Sequence, residues 1–95
     1  MPAYILATVK ISDMEKYKEY MKHTPGVIAK YGGKFVVRGG EKLVLEGPPL
    51  EERVVLIEFP DYATAQAWYK SPEYQELKHL RAGAAEARFI ALEGC

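Results

Sequence analysis

Cysteine is nearly absent: the chain has one, Cys95, at its last position. No intramolecular disulfide can form, and no thiolate metal site can be assembled from it. A surplus of charge is absent as well. Thirteen basic side chains balance thirteen acidic ones, and the two signs are interspersed. That is not the electrostatic footprint of a nucleic-acid or anionic-membrane binder. Histidine is limited to His23 and His79, far apart in the chain, so no metal site is expected. Long apolar runs are missing too. The start, MPAYILATVK, has no basic n-region or small-residue cleavage site, and its apolar run stops at Val9. It is expected to be neither a signal peptide nor a membrane span. The pairs Gly32-Gly33 and Gly39-Gly40 lack the spacing and the strand-to-helix context of a phosphate loop, and no cofactor signature is present. These absences predict one cytoplasmic domain over residues 1–95, with no cofactor and neither nucleic acid nor membrane as partner.

What is present is an ordinary globular composition, 48% hydrophobic and 27% charged in 95 residues. It suffices for one modest core. The chain is organised around Arg53–Arg81, which opens as a strand with the apolar centre VVLI and turns at Pro60-Asp61 into helix. It restarts at Ser71-Pro72 and closes on an arginine.

In order, Ala3–Ile11 alternates, with Ile5, Val9 and Ile11 on one face and Tyr4, Leu6 and Thr8 on the other. Both faces are largely apolar, as in a strand covered on both sides. Ser12 with Glu15 fits a capping box, and Asp13 is an equally good N-cap. Helical spacing then runs from Met14 to Tyr31, and Pro25 predicts a break near His23-Thr24. Gly32-Gly33 supplies the left-handed cap. Lys34–Arg38 is a second strand with a kink at Gly39-Gly40, and Leu43–Leu45 continues the extended run. EGPPLEE, residues 46–52, is a hairpin loop. Arg53–Phe59 is the third strand, ended by Pro60. Asp61 caps one helical piece and Ser71, followed by Pro72, caps another. Gly83 marks the exit into a fourth strand, Ala87–Leu92.

The order βαββαβ is the ferredoxin-like plan, an α+β fold with a four-stranded antiparallel sheet. Right-handed crossovers put both helices on one side. The strand order 4-1-3-2 makes the first and third strands central, and those are the two that are apolar on both faces. The face without helices would then leave apolar surface bare. A second copy packed sheet to sheet about a two-fold axis removes that difficulty, so a homodimer is predicted.

Four stretches also carry a family likeness: PAYILATVKI (Pro2–Ile11), GGKFVVRGG (Gly32–Gly40), VVLIEFPDYATAQAWYKSPEYQ (Val54–Gln75) and the closing LEG (Leu92–Gly94). Together they resemble the family known as domain of unknown function 1330, in the dimeric α+β barrel superfamily. The resemblance covers essentially the whole chain and implies the barrel fold and the dimer. Superfamily relatives include cofactor-free monooxygenases, muconolactone-type isomerases, haem-degrading enzymes and pure ligand-binding modules, so it implies no single activity.

Each residue that could carry chemistry also has a plain structural role. Arg38 and Glu58 stand at similar distances from the hairpin loop and are expected to face each other as a cross-strand ion pair. Arg38 could alternatively hold a ligand carboxylate or phosphate through its planar fork. Arg81 complements a helix C-terminus, yet it shares a face with Tyr74 and Leu77. A partly buried arginine there wants an anion, Glu58 or a ligand. Tyr69 and Tyr74 are core tyrosines with hydroxyls available. Ser71 is an N-cap with no nucleophile context, and Trp68 is a core ring. His23, at the predicted helix break, and Glu58 are the two candidates for a catalytic base.

The residues therefore support a dimeric module that binds a small anionic or aromatic molecule between helices and sheet, through Arg38, Tyr69, Ser71, Tyr74 and Arg81. The alternatives are a cofactor-independent enzyme of isomerase or monooxygenase type, and a structural or assembly protein whose polar cluster binds nothing.

Overall fold

A computed structural model describes residues 1–95. Its elements are β1 (Ala3–Ile11), α1 (Met14–Lys30), β2 (Lys34–Arg38), β3 (Arg53–Phe59), α2 (Tyr62–Lys70), α3 (Pro72–Lys78) with a closing 3₁₀ turn (His79–Arg81), and β4 (Ala85–Glu93). All strand pairs are antiparallel, in the order β2-β3-β1-β4. The ferredoxin-like plan is therefore the fold, with β1 and β3 central as expected.

Alternation along the strands sorts the side chains. Ala3, Ile5, Ala7 and Val9 of β1 and Val55, Ile57 and Phe59 of β3 are buried beneath the helices. Tyr17, Tyr20, Thr24 and Ile28 recur at three to four residues along α1, and this stripe is its buried face. α2 contributes Ala65 and Trp68, and α3 contributes Tyr74. Trp68 is only 1% exposed, and Phe59 and Phe89 flank its ring at 5.4 and 6.4 Å between centroids. At Gly33 the chain passes so close to this core that a Cβ would stand 2.6 Å from the Phe59 ring.

Three local expectations are corrected, and the choice between Ser12 and Asp13 as N-cap is decided for Asp13. Pro25 does not break α1, which runs unbroken to Lys30. Proline removes the amide that would have bonded the Met21 carbonyl one turn back. That carbonyl instead accepts from Arg38 Nη2 at 3.1 Å and from Thr24 Oγ1 at 3.4 Å. Asp13, not Ser12, caps α1, accepting from the Lys16 amide. The Ser12 hydroxyl instead donates to the Ala84 carbonyl and ties the end of β1 to the start of β4. β2 ends at Arg38, so Leu43–Leu45 does not continue the sheet within this chain. β4 is longer than expected, since β1 extends to Ile11 and offers pairing partners back to Ala85.

The opposite face of the sheet carries Tyr4, Leu6 and Thr8, then Val54, Leu56 and Glu58, then Ile90 and Leu92. No helix covers it. No helix of the fold is long and apolar enough to cross a membrane.

Candidate functional site

The predicted pairing of Arg38 with Glu58 does not occur. Glu58 pairs with Lys34, whose ammonium lies 3.6 Å from its carboxylate. A bulge between Phe35 and Val37 adds one residue to β2 and sets Arg38 opposite Val55. A one-residue slip reverses the face a side chain occupies, so Arg38 lies on the helix side and Glu58 on the open side. Glu58 and Arg81 are therefore on opposite faces of the sheet, and the expectation that both enter one cleft is also corrected.

Arg81 closes the 3₁₀ turn after α3 and is 8% exposed. Its guanidinium carbon stands 5.6 Å from the Tyr20 ring centroid and 5.2 Å from that of Phe89. Beside it, the hydroxyls of Tyr20 and Tyr74 are hydrogen-bonded at 2.7 Å. Burial pushes the Tyr20 phenol well above its ordinary value, and the adjacent Tyr74 adds to that. Burial likewise raises Tyr74 and Tyr17, so all three phenols are neutral near pH 7. Burial works against the Arg81 cation, but the oxygens of Tyr74 and Tyr20 more than offset it and its pKa is raised. The result is a permanent positive charge among neutral rings. All five ion pairs of the fold are made by lysines or His23, and none by an arginine. Arg81 Nε has no hydrogen-bond partner.

Arg81 borders a groove of ≈ 340 Å³, within the size range of small-molecule sites. Its floor is Ile5, Ala87, Phe89 and Ala91 from the helix-covered side of the sheet. Gln66, Tyr69 and Lys70 of α2 and Lys78 of α3 complete the wall. The Lys78 ammonium lies 5.2 Å from the Tyr69 ring centroid. Three cations and no carboxylate face this groove.

A second, interior cavity of ≈ 30 Å³ lies between α1 and the sheet, bordered by Tyr17, Thr24, Arg38, Arg53, Val55 and Trp68 among others. It has room for a water molecule or two. Arg53 Nε and Trp68 Nε1 are buried donors without a partner. The Arg53 guanidinium packs so tightly on Gly39, at φ 69°, that a Cβ there would collide with it.

Of the residues singled out from the sequence, the structure brings Tyr69 and Arg81 into the groove and sets Tyr74 beside Arg81. Arg38 stands apart, bonded to α1 and stacked 4.3 Å over Phe35. Ser71 is fully engaged: its hydroxyl donates to the Trp68 carbonyl at 2.7 Å and accepts from the Tyr74 amide at 3.1 Å. His23 is exposed on α1, 3.9 Å from Glu19, and lines neither cavity. Reading the sequence missed Tyr17, Tyr20, Arg53, Lys70 and Lys78 as site residues. Tyr20 was the one with a signal, since it shares the apolar stripe of α1 with Tyr17 and a buried hydroxyl requires a partner.

The model of a family described as "Domain of unknown function (DUF1330)" matches residues 2–95. The chain belongs to the DUF1330 family. No curated protein matches the sequence. Among solved structures, a protein of unknown function from Rhodopseudomonas palustris is 27% identical, over 99% of this chain and 82% of that one, with TM-score 0.74. A dimeric ferredoxin-like protein of unknown function from Jannaschia sp. CCS1 is 15% identical, over 99% and 100%, with TM-score 0.71. SnoaB, a cofactor-independent oxygenase from Streptomyces nogalater, is 10% identical over 99% and 93%, with TM-score 0.69. The solved structures that resemble this chain include proteins of unknown function and an oxygenase, and the fold alone assigns no activity.

Proposed function

We propose that this DUF1330 protein acts as a homodimer that binds a small anionic molecule with an aromatic or apolar body in the groove beside Arg81. The observation that carries the reading is Arg81 itself, a buried cation with no carboxylate partner at the end of a groove that no acid lines. The phenol oxygens that sustain this cation are neutral, so its charge stays uncompensated and a ligand carboxylate or phosphate would pair it. Lys70 and Lys78 would attract the same anion, while Phe89, Ala87 and Ala91 suit a flat apolar body. The uncovered sheet face, together with relatives described as dimeric, supports the homodimer.

The enzymatic alternative needs a base beside the ligand. His23 and Glu58 both lie outside the groove, so binding is the better-supported reading. The test is thermal unfolding with benzoate, phenyl phosphate and neutral cyclohexanol. Saturating anion should stabilise the wild type, by about 2.7 kcal/mol at a hundred times Kd, while cyclohexanol should not. Arg81→Met should abolish the shift. The reading is wrong if neither anion shifts the wild type, or if the shift survives in Arg81→Met.

A further inference from the structure

The groove leaves two buried donors unused. Arg53 Nε and Trp68 Nε1 have no hydrogen-bond partner and border no part of it, and a donor taken out of water without an acceptor is costly. Both residues instead border the interior cavity under α1. Arg53 opens β3, while the Trp68 ring packs on Phe59 at the other end of that strand. The two donors therefore belong to opposite ends of the cavity, with Val55 and Ile57 between them. The arginine is fixed in place. Its guanidinium packs on Gly39, where only a hydrogen leaves it room, and its Nη2 donates to the Arg38 carbonyl at 3.4 Å. Arg38 stands at the exposed rim, its own Nη2 donating to the Met21 carbonyl.

Charge at this cavity has one sign. Arg38 and Arg53 border it and no carboxylate does. Glu51 and Glu52 precede Arg53 in the chain, yet neither forms an ion pair with it. Burial raises the Tyr17 phenol at the same cavity, while Arg53, Arg81 and Arg38 all pull it back down, so the space is positive in potential. Water alone fits it poorly. A water accepts from a buried donor, but its own hydrogens then need acceptors, and most of the wall is hydrophobic. An anion brings acceptors and no donors. The volume of ≈ 30 Å³ limits it to a few atoms, since one water takes about 10–15 Å³.

We propose that the arginine end of this cavity is a second ligand site, separate from the groove, for a small singly charged oxyanion of the size of formate or nitrate. Arg53 Nε donates a charge-assisted hydrogen bond to it, and Arg38 adds positive charge at the rim. One water accepts from Trp68 Nε1 at the inner end and donates to the anion, so both buried donors gain a partner. The site stands or falls apart from the groove, with which it shares only Phe89.

The chain has a single tryptophan, so ¹⁵N-labelled protein gives one indole N–H resonance, and that resonance reads the cavity. Full-length protein is titrated at constant ionic strength with sodium formate, sodium nitrate and sodium gluconate, whose anion is too large to enter. The two small anions should move the resonance saturably and gluconate should not. Arg53→Gln should weaken the affinity about tenfold or more, while Arg81→Met should leave it within about twofold. Circular dichroism checks the fold of each variant. If Arg53→Gln is unfolded, Arg53→Lys, which keeps the charge but lacks Nε, takes its place with the same expected loss. The site is overturned if neither small anion moves the resonance, if gluconate moves it equally, or if the response survives the change at Arg53. A response that survives in Arg53→Gln and is lost in Arg81→Met assigns the anion to the groove, which overturns this site and leaves the groove reading standing.

Discussion

The two faces of the sheet are built from the same strands and differ by single residue steps. Ile57 is buried under the helices and Leu56, next to it, is half-exposed on the other side. Both faces are rich in apolar side chains, so composition does not separate them. What separates them is cover: α1, α2 and α3 lie on one, and no helix of this chain lies on the other. On the covered face, the cost of a substitution should appear as unfolding. On the uncovered face it should appear as dissociation, and that contrast can be broken by experiment.

The largest effect is expected on the covered side. Trp68→Ala should cost about 3–5 kcal/mol, read from denaturant melts at fixed protein concentration. A loss under about 1 kcal/mol would show that the ring is not part of the core. Next comes the adjacent pair. Ile57→Asp should abolish folding, because it buries an unpaired carboxylate. Leu56→Asp should leave a folded chain but reduce the mass by light scattering from about twice 10.7 kDa to 10.7 kDa. If Leu56→Asp unfolds the chain as Ile57→Asp does, the two faces are not distinct in this way.

A smaller effect follows from the phenols under α1. Folded Tyr20 and Tyr74 hold their protons more tightly than the unfolded chain, whose phenols titrate near about pH 10. Their contribution is present below that value and is lost as pH rises above it toward the raised folded values. Urea melts from pH 8 to about 11.5 should therefore show alkaline destabilisation, less steep in Tyr20→Phe. Equal slopes in the two proteins would remove Tyr20 from that account. The smallest effect belongs to the exposed ion pair on the open face: Glu58→Gln should cost about 0.2–1 kcal/mol. A larger loss would mean that the partner subunit encloses Lys34 and Glu58.

The architecture was legible because it rests on patterns the chain repeats. Alternation in β1 and β3 marked the central strands, and Asp61 and Ser71-Pro72 marked the helix starts. The site was less legible because a side chain's face depends on register, and register was decided by the bulge between Phe35 and Val37. The partner depends on where the loop begins: β2 ends at Arg38 instead of running on to Leu45, so a count back from residues 46–52 puts Arg38 opposite the wrong residue. Arg81 was identified by its place on an apolar helical face, which the fold preserves. Lys70 and Lys78 resemble ordinary surface lysines until the groove's floor is known. The proline expectation failed for a different reason. Pro25 does leave a carbonyl without its amide, but the replacement donor comes from another strand, beyond the reach of local rules.

That replacement links two positions that no motif connects. Removing the proline, as in Pro25→Ala, would restore the missing amide to the Met21 carbonyl and compete with Arg38 for it. The guanidinium would be displaced from its tether and freed toward solvent or the interior cavity. The side chain allowed at position 38 is thus conditioned by the ring at position 25. Among homologues the two should vary together, and the arginine should drift once the proline is gone.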